Sequence, residues 1–133
     1  MLSELIFHHI GVAVFSIEET SKYYREAGYT ITDTRYDPVQ DVNICFIFKE
    51  GNPCIELIEP ISEKSPVAQI LQKKGVSPYH FCYQTPDIQE SITRLKKIKF
   101  IVLSKPVAAV ALDQNIICFL FNKHLGLIEL VQI

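Results

Sequence analysis

Residues 6–14 alternate bulky apolar side chains with small or polar ones, as half-buried β-strands do. His9, Gly11 and Ala13 fall on one face of this predicted strand, and isoleucine and valine side chains fall on the other. We expect a helix to cover the bulky face, because apolar surface is stabilised by removal from water. The face that carries His9 needs room beside it.

A helix is predicted directly after this strand. Ser16 is a favourable N-cap, and Glu19 stands three residues later, which is the spacing of a capping box. Gly28 is placed to end the helix after about residue 27. Three strands follow, so that the module reads β-α-β-β-β. The predicted strands are Tyr29–Thr34, Val42–Phe48 and Cys54–Glu59, with turns at 37–38 and 50–53.

The second half of the chain repeats this order of elements. At an offset of 71 residues His80 aligns with His9, and in the last strands, where the offset is 73, Glu129 aligns with Glu56. Asp87 is the predicted cap of the second helix. The other predicted elements are strands at His80–Gln84, Phe100–Leu103, Asn115–Phe121 and Leu127–Gln132, a helix with Ile88, Ile92 and Leu95 on its apolar face, and a loop with some strand character at Lys105–Asp113.

A short helix is predicted between the two copies, because Ser65 and Pro66 form a favourable helix start. This helix covers Val67–Lys74. The length and the repeat predict a single α+β domain over residues 1–133. In it, module one spans about residues 5–60, the connecting helix about 65–75, and module two about 78–133.

Composition and charge exclude several classes of function. Of the 133 residues 48% are hydrophobic, and the formal net charge of -2 gives no general attraction to nucleic acid or to anionic membranes. Residues 1–5 lack the pattern of a signal peptide, and no apolar run is long enough for a membrane span. The four cysteines form no C-x-x-C pair, which favours free thiols in a cytoplasmic protein. Lys96, Lys97 and Lys99 form either a solvated helix end or an anchor for substrate phosphate or carboxylate groups.

Two glutamates and two histidines carry the candidate chemistry. Glu56 and Glu129 stand in the middle of apolar strands, where an ionised carboxylate costs several kcal/mol unless it is paired. A single strand glutamate usually faces solvent, and a single strand histidine is usually structural. Because His9 and His80 occupy corresponding positions of the two copies, we expect the four side chains to converge on a divalent metal if the copies pack about a pseudo-twofold axis. Two imidazoles and two carboxylates suit Zn, Ni, Co, Mn or Fe.

The other candidate ligands are less favoured. His8 faces away from His9 by strand alternation, and His124 falls in a predicted turn. Cys54 and Cys82 lie two residues from candidate ligands on the same faces, so we expect them to line the site. A thiol near a metal is also a potential further ligand or an oxidation-sensitive position.

Several motifs along the chain resemble the vicinal oxygen chelate superfamily, which contains glyoxalases, bleomycin-resistance proteins and extradiol dioxygenases. Within it, the chain is most similar to methylmalonyl-CoA epimerases and to small proteins named lactoylglutathione lyases. The resemblance implies paired βαβββ modules that form a half-open, barrel-like cup, with metal ligands at His9, Glu56, His80 and Glu129. The motifs are His9–Val14, Ile55–Pro60, Ser65–Ala68, Tyr79–Tyr83 and Leu127–Leu130.

The resemblance also implies the chemistry. We expect a metal-dependent isomerase or lyase that acts on a small carbonyl or thioester substrate by proton abstraction and enediolate stabilisation, with one Zn, Ni, Co or Mn ion. Glu129 is the expected base, and Glu56 a ligand or second base. Asp37 and Asp41 flank the place where epimerases carry a second acidic residue, and Ala108–Ala111 replace their glycine-histidine loop. We also expect a homodimer.

Three alternatives remain open. Glyoxalase I, that is lactoylglutathione lyase, uses a similar His-Glu-His-Glu set. A ligand-sequestering or resistance protein would use the cup without catalysis and without a metal. An extradiol dioxygenase is less favoured, because such enzymes use two histidines and one glutamate with Fe(II), and Glu56 would fill a position needed for substrate or oxygen.

Overall fold

The computed structural model describes residues 3–133. Over that range the chain forms three α-helices and ten β-strands, which confirms the α+β class. Contacts group residues 9–79 into a first compact unit, and residues 80–133, together with the described residues before 9, into a second.

The first unit contains the first copy of the repeat, with the predicted order of a strand, a helix and further strands. Strand β1 pairs in parallel with β5, β5 pairs antiparallel with β4, and both β2 and β3 pair antiparallel with β4. The elements are β1 (Ile6–Ala13), α1 (Ile17–Glu26), β2 (Thr30–Ile31), β3 (Arg35–Asp37), β4 (Val42–Phe48), β5 (Ile55–Pro60) and α2 (Pro66–Lys74).

The second unit repeats the same pairings. Strand β6 pairs in parallel with β10, β10 pairs antiparallel with β9, and both β7 and β8 pair antiparallel with β9. The elements are β6 (Ser77–Thr85), α3 (Ile88–Lys97), β7 (Ile101–Val102), β8 (Val107–Ala108), a 3₁₀-helix (Val110–Leu112), β9 (Ile116–Asn122) and β10 (Gly126–Gln132).

The start of β1 contacts the second unit. The Phe7 ring lies edge-on to the rings of Phe81 and Tyr83, with centroids 6.3 and 6.0 Å away. The guanidinium of Arg94 on α3 lies 3.0 Å from the Glu4 carboxylate. Glu4 and Phe7 thus pack within the second unit, and the first unit starts at His9.

The single strand predicted at Tyr29–Thr34 is wrong: the structure has two short strands, β2 and β3, on either side of an irregular segment. Thr32 causes the break. Its backbone N–H still donates to the Phe46 carbonyl, but its hydroxyl, in place of its own carbonyl, accepts the Phe46 N–H at 2.8 Å. The second unit interrupts its sheet in a related way: the Leu103 N–H donates to the Phe119 carbonyl, and the hydroxyl of the next residue, Ser104, accepts the Phe119 N–H at 3.4 Å.

The predicted helix starts are confirmed. The side chains of Ser16 and Asp87 each accept the backbone N–H three residues later, at 3.1 Å, and Ser65 accepts the N–H of Val67 at 3.3 Å. Pro66 occupies the first turn of α2. Gly28 follows α1 with a φ of 91°, a left-handed conformation that favours glycine.

A second contact anchors the first and third helices, and sequence reasoning missed it. The first helical N–H, of Ile17 or Ile88, donates at 2.9 Å to a side-chain oxygen on the last strand of the same unit. The acceptors are Glu59 and Gln132, which correspond at the 73-residue offset. Each helix start is thus tied to the strand that carries the candidate glutamate.

Each unit buries its helix against one face of its sheet. Leu57 belongs to this core in the first unit, and Ile128 and Leu130 do in the second. Because these residues neighbour Glu56 and Glu129 along their strands, alternation places the glutamates on the opposite faces. The other buried residues of these two helix–sheet clusters are Val14, Ile17, Cys45 and Ile47 in the first unit, and Ile88, Ile92, Leu95, Phe100, Cys118 and Leu120 in the second.

Replacement of the helix cap tests this anatomy. Asp87→Ala is expected to lower the free energy of unfolding by about 1 kcal/mol, because the N–H of Glu90 loses its acceptor. Asp87→Asn should retain most of the stability, since asparagine caps helices equally well. Urea unfolding of the two variants measures the difference. Equal losses in both would contradict the assigned role of Asp87.

Candidate metal centre

In the first unit, one histidine and one glutamate face each other on adjacent parallel strands. Gly11 on β1 lies opposite Glu56 on β5, so His9 stands two residues away on the same face. The His9 Nε2 and Glu56 Oε1 atoms are 3.4 Å apart. Both residues are buried, with 0% and 4% of their surface exposed.

The second unit contains the same arrangement. Cys82 on β6 lies opposite Glu129 on β10, and His80 stands two residues before Cys82. The His80 Nε2 and Glu129 Oε1 atoms are 3.3 Å apart, and both residues are buried. Each histidine is therefore brought together with the glutamate of its own unit, as strand alternation predicts.

A phenylalanine accompanies each pair. Phe46 is the cross-strand partner of Glu56, and its ring lies nearly perpendicular to the His9 ring at 5.2 Å. Phe119 is the cross-strand partner of Glu129, and it contacts His80 in the same way at 5.5 Å. These contacts restrict the imidazole orientations. Sequence reasoning did not assign the phenylalanines, although they correspond at the same 73-residue offset as the glutamates.

The spacing within each pair fits two ligands of one divalent metal. A charge-assisted N–H···O hydrogen bond is shorter, at about 2.7–2.9 Å. Two donors bound at about 2.1 Å to one ion, at angles between 90 and 110°, are separated by about 3.0–3.4 Å. The observed Nε2–Oε1 distances of 3.4 and 3.3 Å match that range. Imidazole nitrogen with carboxylate oxygen is also a suitable donor set for Zn, Ni, Co or Mn.

Asp37 and Asp41, the candidates for a second acidic residue, take part in local structure. Asp37 is buried, and its carboxylate accepts the backbone N–H groups of Val39 and Gln40 and the Gln40 side-chain amide. The Asp41 carboxylate accepts the Ser62 hydroxyl. The hydrogen bonds of Asp37 close the turn before β4, and that of Asp41 ties this turn to the segment after β5.

The remaining candidates lie as follows. His8 is half-buried, and one of its ring nitrogens lies within 4.8 Å of the Cys82 sulfur, so strand alternation does not remove it from the candidate ligands. His124 is exposed in the turn between β9 and β10, as expected. Lys96, Lys97 and Lys99 are exposed at the end of α3, which agrees with a solvated helix end. No helix within residues 3–133 has the length and apolar character needed to cross a membrane.

All four cysteines are free thiols, as expected. Burial, with a smaller effect of the nearby Glu56 charge, raises the pKa of Cys54. Burial raises the pKa of the Cys45 thiol to about 11, although a hydrogen bond with Ser21 opposes the shift. The Cys118 thiol donates to the Ser104 carbonyl at 3.3 Å, and burial raises its pKa as well. These thiols are therefore protonated at neutral pH.

Comparison with known proteins places these features in context. The family profile described as Glyoxalase/Bleomycin resistance protein/Dioxygenase superfamily matches residues 8–119. The mitochondrial methylmalonyl-CoA epimerase of Homo sapiens is 32% identical over 129 residues, which cover 94% of this chain and 72% of that protein. The ethylmalonyl-CoA/methylmalonyl-CoA epimerase of Cereibacter sphaeroides is 30% identical over 130 residues, which cover 95% of this chain and 96% of that protein.

A solved structure agrees with these relatives. A variant of Streptomyces coelicolor methylmalonyl-CoA epimerase, in complex with 2-nitronate-propionyl-CoA, superposes with a TM-score of 0.84 at 26% identity. The superposition covers 96% of this chain and 97% of that one. The likeness therefore extends over both repeats of the chain.

The raised pKa of Cys45 predicts a loss of stability in alkali. The thiol has an ordinary pKa of 9.0 and a pKa of about 11 when folded, so the native state holds this proton more tightly. Its contribution is complete below pH 9 and is lost as the pH rises through 11, to an extent on the order of 2 kcal/mol. Urea unfolding between pH 8 and 11 should show a smaller decline for Cys45→Ala than for the wild type. Parallel declines would contradict this assignment.

Proposed function

Because the chain belongs to the Glyoxalase/Bleomycin resistance protein/Dioxygenase superfamily, we propose that it is a metal-dependent epimerase of a 2-alkylmalonyl thioester of coenzyme A. The observation that carries the proposal is the histidine–glutamate pair, built twice on adjacent parallel strands in a chain that matches epimerases over nearly its whole length. The family expected from the sequence motifs is confirmed, and with it the expectation of an enzyme of the isomerase type.

We propose that His9, Glu56, His80 and Glu129 together hold one divalent ion, with Zn, Ni, Co or Mn as the candidates. Support comes from the equal donor spacing in the two units and from the burial of two carboxylates, whose desolvation cost a bound cation would offset. When bound, the ion supplies positive charge that stabilises negative charge developing on the substrate oxygens.

The reaction requires a proton to leave one face of a carbon and return to the other. In a 2-alkylmalonyl thioester this carbon lies between a thioester carbonyl and a carboxylate, so its proton is acidic. Glu129 accepts the proton, and the electrons of the C–H bond move into the adjacent carbonyl to give an enolate. Glu56 occupies the corresponding position of the first unit, which makes it the candidate second base. Released from the ion and protonated by water, it would donate that proton to the opposite face of the enolate. Return of a proton to that face completes inversion.

The alternatives receive less support. The relatives described above are epimerases, whereas nothing in residues 3–133 specifically favours glutathione over coenzyme A. Both donor pairs are retained, which counts against a protein that only sequesters a ligand. We also propose a cytoplasmic location, where the four free thiols remain reduced. The homodimer stays a prediction.

Metal binding provides the first test of the site. Adding Co²⁺, Ni²⁺, Mn²⁺ or Zn²⁺ to metal-free protein should raise the free energy of unfolding by about 2.7 kcal/mol at one hundred times the dissociation constant. Titration calorimetry should give one ion per chain. His9→Ala and His80→Ala should each abolish this binding, because both units contribute to the same ion.

His124→Ala is the matched control, since His124 lies exposed in a turn, and it should bind as the wild type does. Two ions per chain, or one ion retained in either the His9 or the His80 variant, would show that the pairs act independently. That result would contradict the shared centre.

Isotope exchange tests the reaction and the base. The metal-loaded protein should incorporate deuterium at C2 of methylmalonyl-CoA or ethylmalonyl-CoA in D₂O, measured by mass spectrometry, while it interconverts the two configurations. Glu129→Gln should lower this rate by about 10²- to 10⁴-fold, the usual contribution of a positioned general base. Its metal affinity should only weaken, since an amide oxygen remains.

Glu63→Gln removes one negative charge at an exposed position and should leave the exchange rate unchanged. Full activity of the Glu129 variant would exclude Glu129 as the base. A metal-loaded wild type without exchange on either substrate would exclude the proposed epimerase.

A further inference from the structure

The sheet face that carries Glu129 continues as an apolar surface. Val131 follows Glu129 on the same face of β10, and Phe119 and Ile117 are the cross-strand partners of Glu129 and Val131. Cys82 lies opposite Glu129 on β6. Cys82, Ile117, Phe119 and Val131 pack against one another, and we call them the apolar wall. Phe119 is half-buried, so part of its ring remains accessible beside the His80–Glu129 pair.

A short loop covers part of this wall. Hydrogen bonds from the N–H groups of Leu112 and Gln114 to the Ala109 carbonyl, and from the Ala109 N–H to the Asn115 carbonyl, close the loop on itself. Ala109 is 5% exposed and belongs to the buried cluster of the wall. Leu112, in the 3₁₀-helix, is half-buried and packs against the same cluster. Leu112 and Phe119 are thus the partly exposed members of an otherwise buried apolar cluster.

The first unit differs at the corresponding place. At the 73-residue offset that relates the site residues, Val39 corresponds to Leu112. Val39 is 73% exposed, in the turn held by the Asp37 carboxylate. The two units thus contain equivalent histidine–glutamate pairs, but only in the second unit does the apolar residue of this turn, Leu112, pack against the sheet face.

We infer that Leu112 and the accessible part of the Phe119 ring receive the alkyl substituent on the reacting carbon of the substrate, and that Leu112 sets the size limit of that substituent. The inference rests on the proposed epimerase function. The reacting carbon carries a proton, an alkyl group, a carboxylate and a thioester carbonyl. Of these, only the alkyl group lies on an apolar wall without the cost of desolvating a charge or dipole.

The planar geometry of the enolate explains how one surface can hold the alkyl group of both configurations. When the C–H bond breaks, the alkyl group, the carboxylate and the thioester carbon lie in one plane, and only the proton changes sides. A single apolar surface therefore holds the alkyl group in both configurations. Its size selects among alkyl groups without favouring one configuration.

The experiment compares methylmalonyl-CoA with ethylmalonyl-CoA. The kcat/KM ratio, ethyl over methyl, is measured for the wild type, Leu112→Ala and Leu112→Phe. We expect Leu112→Ala to raise the ratio by about 3- to 10-fold, somewhat below the 10- to 200-fold that one methylene is worth in a closed apolar pocket, because Leu112 is only half-buried. Leu112→Phe should lower the ratio. The dissociation constants of propionyl-CoA and butyryl-CoA, which carry the same two alkyl groups without needing turnover, should shift in parallel.

Leu125→Ala is the matched control, because Leu125 is 55% exposed in the turn after β9 and should leave both ratios unchanged. Unchanged ratios in both Leu112 variants, with wild-type melting temperatures, would overturn this inference alone. A wild type without turnover of either substrate would instead overturn the proposed function, and the ratio of dissociation constants would then decide whether the wall recognises alkyl groups.

Discussion

The cost of burying two carboxylates is the constraint on which the rest of this structure depends. Glu56 and Glu129 are 4% and 2% exposed, yet each lies in a strand whose neighbouring residues form the apolar core. The fold places an imidazole within 3.4 Å of each carboxylate, on the adjacent parallel strand. Packing between helix and sheet stabilises each unit from the other face. The residues of the polar face are therefore not needed for helix packing, and they can serve binding and chemistry.

The two copies resemble each other more closely in their strands than in their turns. In both copies the second strand ends where a side-chain hydroxyl accepts the backbone N–H of the phenylalanine beside the site histidine. The hydroxyl belongs to Thr32 in the first copy and to Ser104 in the second. The turns before the third strand diverge: Val39 points into solvent, whereas Leu112 packs on its sheet. The hydrogen-bonded register of the strands fixes the positions of the candidate ligands, whereas a turn can change without shifting that register. Such a scaffold keeps its centre while its surroundings adapt to a substrate.

Short-range signals account for what the sequence predicts well. Caps three residues from their partners predict the helix starts, and strand alternation places His9 and Glu56 on faces that meet. The features missed join residues far apart in the chain. The contact between Ile17 and Glu59 spans 42 residues, and Phe46 reaches His9 only once three strands are assembled. The break at Thr32 depends on the amide opposite it, so propensity alone continues the strand.

The residue that ties each helix to its last strand differs in charge between the copies. Glu59 presents a negative carboxylate to the positive end of the α1 dipole, whereas Gln132 presents a neutral amide to α3. Dissolved ions screen the first interaction and leave the second almost untouched. A rise in ionic strength therefore weakens the anchor of α1 more than the anchor of α3.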